Sequence, residues 1–158
     1  RAMRHPELFR GIDSRMQLVK SMVSEDIETD QPLSSGPALN AMVNDKIRTL
    51  NNYMTEEEPY LDPTLTIYDL SKKTGIPSKE VSLLINHDLN QHFFDFVNGY
   101  RIRKAMDLLK DPEKKEFTVL EILYEVGFNS KSSFNTAFKK YTQTTPTQYR
   151  KKHLGSAA

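Results

Sequence analysis

Two short stretches of this chain, Thr66-Ile67-Tyr68-Asp69 and Thr118-Val119-Leu120-Glu121, spell the same helix start 52 residues apart. In each, the threonine hydroxyl can accept from the backbone N–H three residues on, while the acid reaches back to the threonine N–H. Two otherwise free helix donors are satisfied together. Nine residues after each threonine stands a glycine, Gly75 and Gly127, the residue that most easily takes the left-handed conformation that ends a helix. Beyond the glycines the interval becomes 53, with Val81 matching Phe134 and Ile85 matching Phe138, as expected if the second turn holds one extra residue. A chain that repeats cap, apolar stripe and glycine stop in this order folds the same helix-turn-helix unit twice. That predicts an all-α fold of two lobes.

In the first unit the pattern predicts a supporting helix over Ile67–Thr74, a turn at Gly75-Ile76-Pro77, and a reading helix from Ser78 to about His87. Val81, Leu84 and Ile85 face inward, and Lys79, Ser82, Leu83 and Asn86 face out. Leu83 is the odd member of that face: it could meet a thymine methyl or pack against a neighbouring loop. In the second unit the supporting helix runs from Thr118 to Val126, the turn is Gly127-Phe128-Asn129, and the reading helix runs from Ser130 to about Thr142. There Phe134, Ala137, Phe138 and Tyr141 fall at i, i+3, i+4, i+7, a buried stripe. Ser132, Asn135, Thr136 and Lys139 repeat the spacing on another face with small or polar groups that can reach base edges and phosphates.

Between the units, Phe93, Val97, Tyr100, Ala105, Leu108 and Leu109 recur at near-helical intervals, and Asp111-Pro112 ends the run. Gly99 inside it costs about 1 kcal/mol relative to alanine, so something must hold that turn together. A helix from Gln91 to Lys110 would be roughly 30 Å long at 1.5 Å per residue. One turn of duplex DNA is about 34 Å, so a rigid connector of this size could set two helices into successive turns of the major groove. A third capping box, Thr145-Pro146-Thr147-Gln148, with proline in the first helical position, opens a last helix whose basic end starts at Arg150.

Ahead of these units, Met16, Val19, Met22 and Val23 show a helical period, and residues 27–38 read as a Pro-, Ser- and acid-rich linker. From Leu39 to Met54 apolar residues return every three or four positions: Leu39, Met42, Val43, Ile47, Leu50 and Met54. Such a stripe either packs on the domain that follows or pairs with a second copy of itself, making a homodimer through residues 39–54. The chain thus divides into residues 1–58, a helical N-terminal extension; 59–153, the double helix-turn-helix; and 154–158, a disordered tail or cloning remnant.

The net charge of +1 hides an asymmetry. Residues 1–61 carry 7 Lys and Arg against 10 Asp and Glu, and residues 62–158 carry 15 against 11. The back half is the better partner for a polyanion. Cysteine is absent, which removes disulfides and thiolate zinc sites. No apolar run approaches the roughly 20 residues a bilayer requires, so the chain as given is expected to be soluble and cytoplasmic. His87, Asp88, His92 and Asp95 form the closest set of histidines and acids, but His87 and His92 are five apart and do not share a helix face as the HExxH spacing demands. No phosphate loop, nucleophile elbow or paired catalytic carboxylate is visible. No enzyme, metal or cofactor is expected.

The stretch Gly127-Phe128-x-Ser130-x-Ser132-x-Phe134-x-x-x-Phe138-Lys139, followed by Thr145-Pro146-x-x-Tyr149-Arg150 and supported by Asn98-x-Tyr100-Arg101, resembles the AraC family of bacterial transcription regulators. The resemblance covers about residues 60–153. It implies a seven-helix, two-lobed domain that binds double-stranded DNA through both lobes, with RNA polymerase as a further partner and a sensory region elsewhere in the polypeptide. Carried over by position, the base-reading candidates are Lys79, Ser82 and Leu83 in the first lobe and Lys131, Ser132, Asn135 and Thr136 in the second. Asn86, Lys139 and Arg150 complete the expected DNA-binding set. Leu83 departs from the family's usual polar or basic residue and Leu123 from its usual small one, while Asn90 and Gln143 stand where glycine is common. PYLDPTLTIYDLS, preceded by an acidic helix and a basic MRHPELF segment, is similar to regulators whose DNA-binding domain follows a membrane-embedded sensor. On that resemblance residues 1–58 would be the connector after the last membrane span.

Two functions remain. One is a sequence-specific transcription regulator reading DNA with both outward faces. The alternative is a helical protein-binding adaptor that uses the 39–54 helix and keeps a degenerate DNA-binding fold.

Overall fold

A computed structural model describes residues 36–155 of the chain. The periodic stretch at residues 16–23, most of the linker expected at 27–38, and residues 156–158 lie outside the described residues. The described residues form an all-α fold of seven helices. These are α1 (Pro37–Glu57), α2 (Ile67–Thr74), α3 (Ser78–Leu83), α4 (Phe93–Lys110), α5 (Val119–Glu125), α6 (Lys131–Thr142) and α7 (Pro146–Leu154), with short 3-10 turns at Pro59–Leu61 and Pro112–Lys114.

All three capping boxes form. Thr66 caps α2 and Asp69 returns to its N–H at 2.9 Å; Thr118 and Glu121 do the same for α5 at 2.7 Å; Thr145 and Gln148 cap α7 with Pro146 in its first turn. Each such cap contributes about 1 kcal/mol. Gly75 closes α2 at φ 76°, and Gly127 turns the chain out of α5 at φ 101°.

Two cores result. The first gathers Leu70, Val81, Leu84 and Ile85 of the first unit with Phe96 and Val97 of α4. The second gathers Ile122, Leu123, Phe134, Ala137, Phe138 and Tyr149 with Ile102, Ala105 and Leu109. One helix thus supplies both lobes, its first half to one core and its second half to the other. Leu61, in the lead-in segment, packs against both.

One of the two readings of the 39–54 stripe is met, and three departures from the sequence reading have physical causes. The helix α1 belongs to lobe 1: Leu50 and Met54 are fully buried in its core, and Val43, Ile47 and Tyr53 pack beside them. The residues from Ala38 onward form one compact unit. The first departure is that α3 loses its regular winding after Leu83 and continues as a π turn over Leu84–Asp88, with the Leu89 N–H donating to the Leu84 carbonyl. Leu84 and Leu89 both meet the first core, although five residues advance about 1.4 turns of an α-helix; the wider turn brings them to one side. Second, α4 begins at Phe93 and has 18 residues, about 27 Å. Third, Tyr141 is 42% exposed rather than part of the buried stripe, because its hydroxyl reaches out to donate to the Asp95 carbonyl at 2.6 Å.

Candidate nucleic-acid interface

Each lobe holds its second helix by the apolar side and leaves a polar side open. In lobe 1, Lys79, Leu83 and Asn86 are exposed and Ser82 is half-buried. The Asn86 amide donates to the Ser82 hydroxyl at 3.1 Å, which restrains the amide on the open face. Leu83, 40% exposed, leaves part of its surface free. Glu80, which would repel a phosphate, is paired with Lys46 of α1.

In lobe 2, Lys131, Ser132, Asn135, Thr136 and Lys139 are all exposed on α6. Ser130 caps that helix by accepting the Ser133 N–H at 3.1 Å. Lys131, Asn135 and Lys139, four residues apart in turn, line a crease of about 550 Å³ whose other wall is Val119, Leu120 and Leu123 of α5 and whose end is Thr145-Pro146-Thr147. The i, i+4, i+8 spacing of these three was visible in the sequence; the α5 wall was not, since nothing local says that Leu120 stays half open. Cation, amide and cation in a row above an apolar wall can follow a sugar-phosphate strand and reach a base between two phosphates.

Arg150 is held differently from the other members of the expected set. Its guanidinium turns inward and donates to the carbonyls of Phe117, at 2.6 Å, and Lys114, at 3.3 Å. It braces α7 against the turn after α4 rather than standing free for a phosphate. His87 and Asp88 lie 3.5 Å apart on the surface, and among the described residues no group of three His, Cys, Asp or Glu side chains could hold a metal ion.

An all-α domain with two capped helix-turn-helix units on one connector is a DNA-binding class of fold. The comparisons with known proteins agree. A helix-turn-helix domain family matches residues 70–152. The chain belongs to this AraC-type family of DNA-binding transcription regulators, which are not enzymes. It is 34% identical over 87 residues to an uncharacterized HTH-type transcriptional regulator, YdeC, of Bacillus subtilis, covering 55% of this chain and 29% of that protein. Against an uncharacterized HTH-type transcriptional regulator of Staphylococcus aureus it is 30% identical over 151 residues, 94% of this chain and 19% of that protein. The chain therefore spans less than a third of the length of these curated relatives. Among solved structures, it is similar to the C-terminal domain of the response regulator AraT from Geobacillus stearothermophilus, with a TM-score of 0.56 and 25% identity over 71% of this chain and 88% of that one. It is also similar to the C-terminal domain of the two-component response regulator yesN from Fusobacterium nucleatum, with a TM-score of 0.53 and 36% identity over 68% of this chain and 98% of that one.

Proposed function

We propose that this chain reads specific DNA sequences as part of a transcription regulator, with α3 and α6 in successive turns of the major groove. The observation that carries this is the pairing of two polar helix faces on two helix-turn-helix units joined by one continuous helix. Lys79, Ser82, Leu83 and Asn86 face the bases and backbone in the first turn. Lys131, Ser132, Asn135 and Thr136 do so in the second, with Lys139 on phosphate. An asparagine amide can pair with both polar atoms of an adenine edge, which makes Asn86 and Asn135 the natural readers.

Substitution separates the roles. Asn135→Ala is expected to lower discrimination between operator and scrambled duplex by about 1–3 kcal/mol, and Lys139→Ala to weaken every duplex alike. Anisotropy titrations on an operator selected from a random pool measure both; unchanged operator affinity in both variants would overturn the assignment of faces.

The adaptor reading requires a free stripe on the 39–54 helix, whereas Val43, Ile47, Leu50 and Met54 face lobe 1. A homodimer through residues 39–54 would start from Leu39 and Met42, 50% and 58% exposed at the beginning of α1. RNA polymerase is the partner expected of a regulator at a promoter, and the cytoplasm is where a bacterial chromosome is met. A membrane-embedded sensor upstream fits a relative of which this chain matches only 19%, although no described helix is long and apolar enough to cross a membrane.

A further inference from the structure

We propose that the half-site spacing this protein accepts on DNA is set by two braces on opposite sides of α4, an inference that rests on the two-groove reading above. The need for them lies at Gly99. It sits between the part of α4 that serves lobe 1, Phe96 and Val97, and the part that serves lobe 2, from Ile102 to Leu109. A glycine in mid-helix is a place where helices bend, and a bend there would swing one reading helix against the other.

The first brace spans this point. Tyr141, at the end of α6, lies over Gly99: a methyl group built on that glycine would be 3.5 Å from the tyrosine oxygen. Its hydroxyl donates to the Asp95 carbonyl at 2.6 Å, and the neighbouring Lys140 pairs with the Asp95 carboxylate at 2.7 Å. The end of the second reading helix is thereby tied to the first turn of α4, on the lobe 1 side of the glycine.

The second brace leaves α4 two residues later, about 200° round the helix. Arg101 is buried and donates from Nε to the Tyr60 carbonyl at 2.7 Å, from Nη2 to the Asp62 carbonyl at 2.9 Å, and from Nη1 to Asn98 Oδ1 at 3.2 Å. Its guanidinium lies 5.7 Å from the centre of the Phe128 ring, in the turn of lobe 2. Tyr60 belongs to the lobe 1 core and Leu61 touches both cores, so the lead-in segment is wedged at the joint. None of these residues is on either outward face. They are positioning residues: they hold the helices that touch DNA.

Moving one half-site by a base pair shifts it about 3.4 Å and turns it about 35° round the duplex. A braced pair of lobes cannot follow that step; a hinged pair can. The experiment uses duplexes carrying the two selected half-sites at their selected spacing and with one base pair inserted. The unmodified protein is expected to bind the shifted duplex at least about tenfold more weakly, the equivalent of roughly 1.4 kcal/mol. In the double variant Asp95→Ala/Tyr141→Phe, and separately in Arg101→Lys, this ratio should fall to about threefold or less, while affinity for a single half-site stays the same. Because cysteine is absent, spin labels on Lys72→Cys and Lys151→Cys report the lobes independently. Their distance distribution should be narrow in the parent and broad in both braced-site variants, including one too unstable for titration. Wild-type spacing ratios and narrow distances in the variants would overturn the braces. A parent protein indifferent to spacing would instead overturn the two-groove reading, and the label distances would then decide the braces alone.

Discussion

Gly75 and Gly127 hold the same place in the two repeats, yet their surroundings differ. Both have positive φ, 76° and 101°. A methyl group on Gly75 would meet nothing within 4 Å, whereas on Gly127 it would overlap the Tyr60 carbonyl oxygen and come within 2.8 Å of Arg101 Nε. Gly75→Ala is therefore expected to cost only the left-handed backbone term, about 1 kcal/mol. Gly127→Ala should cost about 3 kcal/mol or more, because the second brace must also shift. Urea unfolding of the two variants tests this; equal midpoints would mean that the lead-in segment does not press on the lobe 2 turn. Asn90 and Gln143 take the left-handed conformation without being glycine, at φ 51° and 63°, as the comparison with the family's usual glycines suggests for those two positions.

At the scale of elements, α1 is fastened through Glu58. Its carboxylate accepts from Tyr60 at 2.8 Å and pairs with Lys104 of α4 at 2.8 Å, and these bonds hold its pKa below the usual value of 4.5. A lowered carboxylate pKa stabilises the fold above the unfolded value and loses that contribution as pH falls through the folded value. The end of α1 should thus be fully anchored at neutral pH and loosen below about pH 4.5, seen as faster amide exchange from Tyr53 to Glu57. Glu58→Gln should exchange faster already at neutral pH and respond less to acid; an unaltered acid response would place the anchor elsewhere. The limits of α2, α5, α6 and α7 were legible because a threonine or serine and its partner three residues on obey a local rule. The anchors of α1 and of the two lobes were not, since Arg101 meets Tyr60 across 41 residues and Tyr141 meets Asp95 across 46. The partner of Arg150 was hidden for the same reason, since the Phe117 carbonyl it donates to lies 33 residues earlier. The polar faces of α3 and α6 were readable, being what periodicity leaves over once the buried stripe is assigned, but the π turn was not, because it follows from where Leu89 finds a core.

For the whole molecule the question is whether both lobes touch DNA at once, and the salt dependence of binding tests it. The excess of cations lies in residues 62–158, and both outward faces carry part of it: Lys79 is exposed on α3, Lys131 and Lys139 on α6. Each lysine that neutralises a phosphate releases counterion, and the logarithm of the affinity then falls with that of salt concentration at about −0.9 per contact. If both lobes dock, Lys79→Ala and Lys139→Ala each flatten the slope by about 0.9, and the double variant flattens it by about 1.8. If lobe 2 alone enters the groove, Lys139→Ala keeps its effect while Lys79→Ala leaves the slope unchanged. That asymmetry would confine DNA reading to α6 and leave α3, with its Lys46-paired Glu80 and half-open Leu83, as a surface for some other contact.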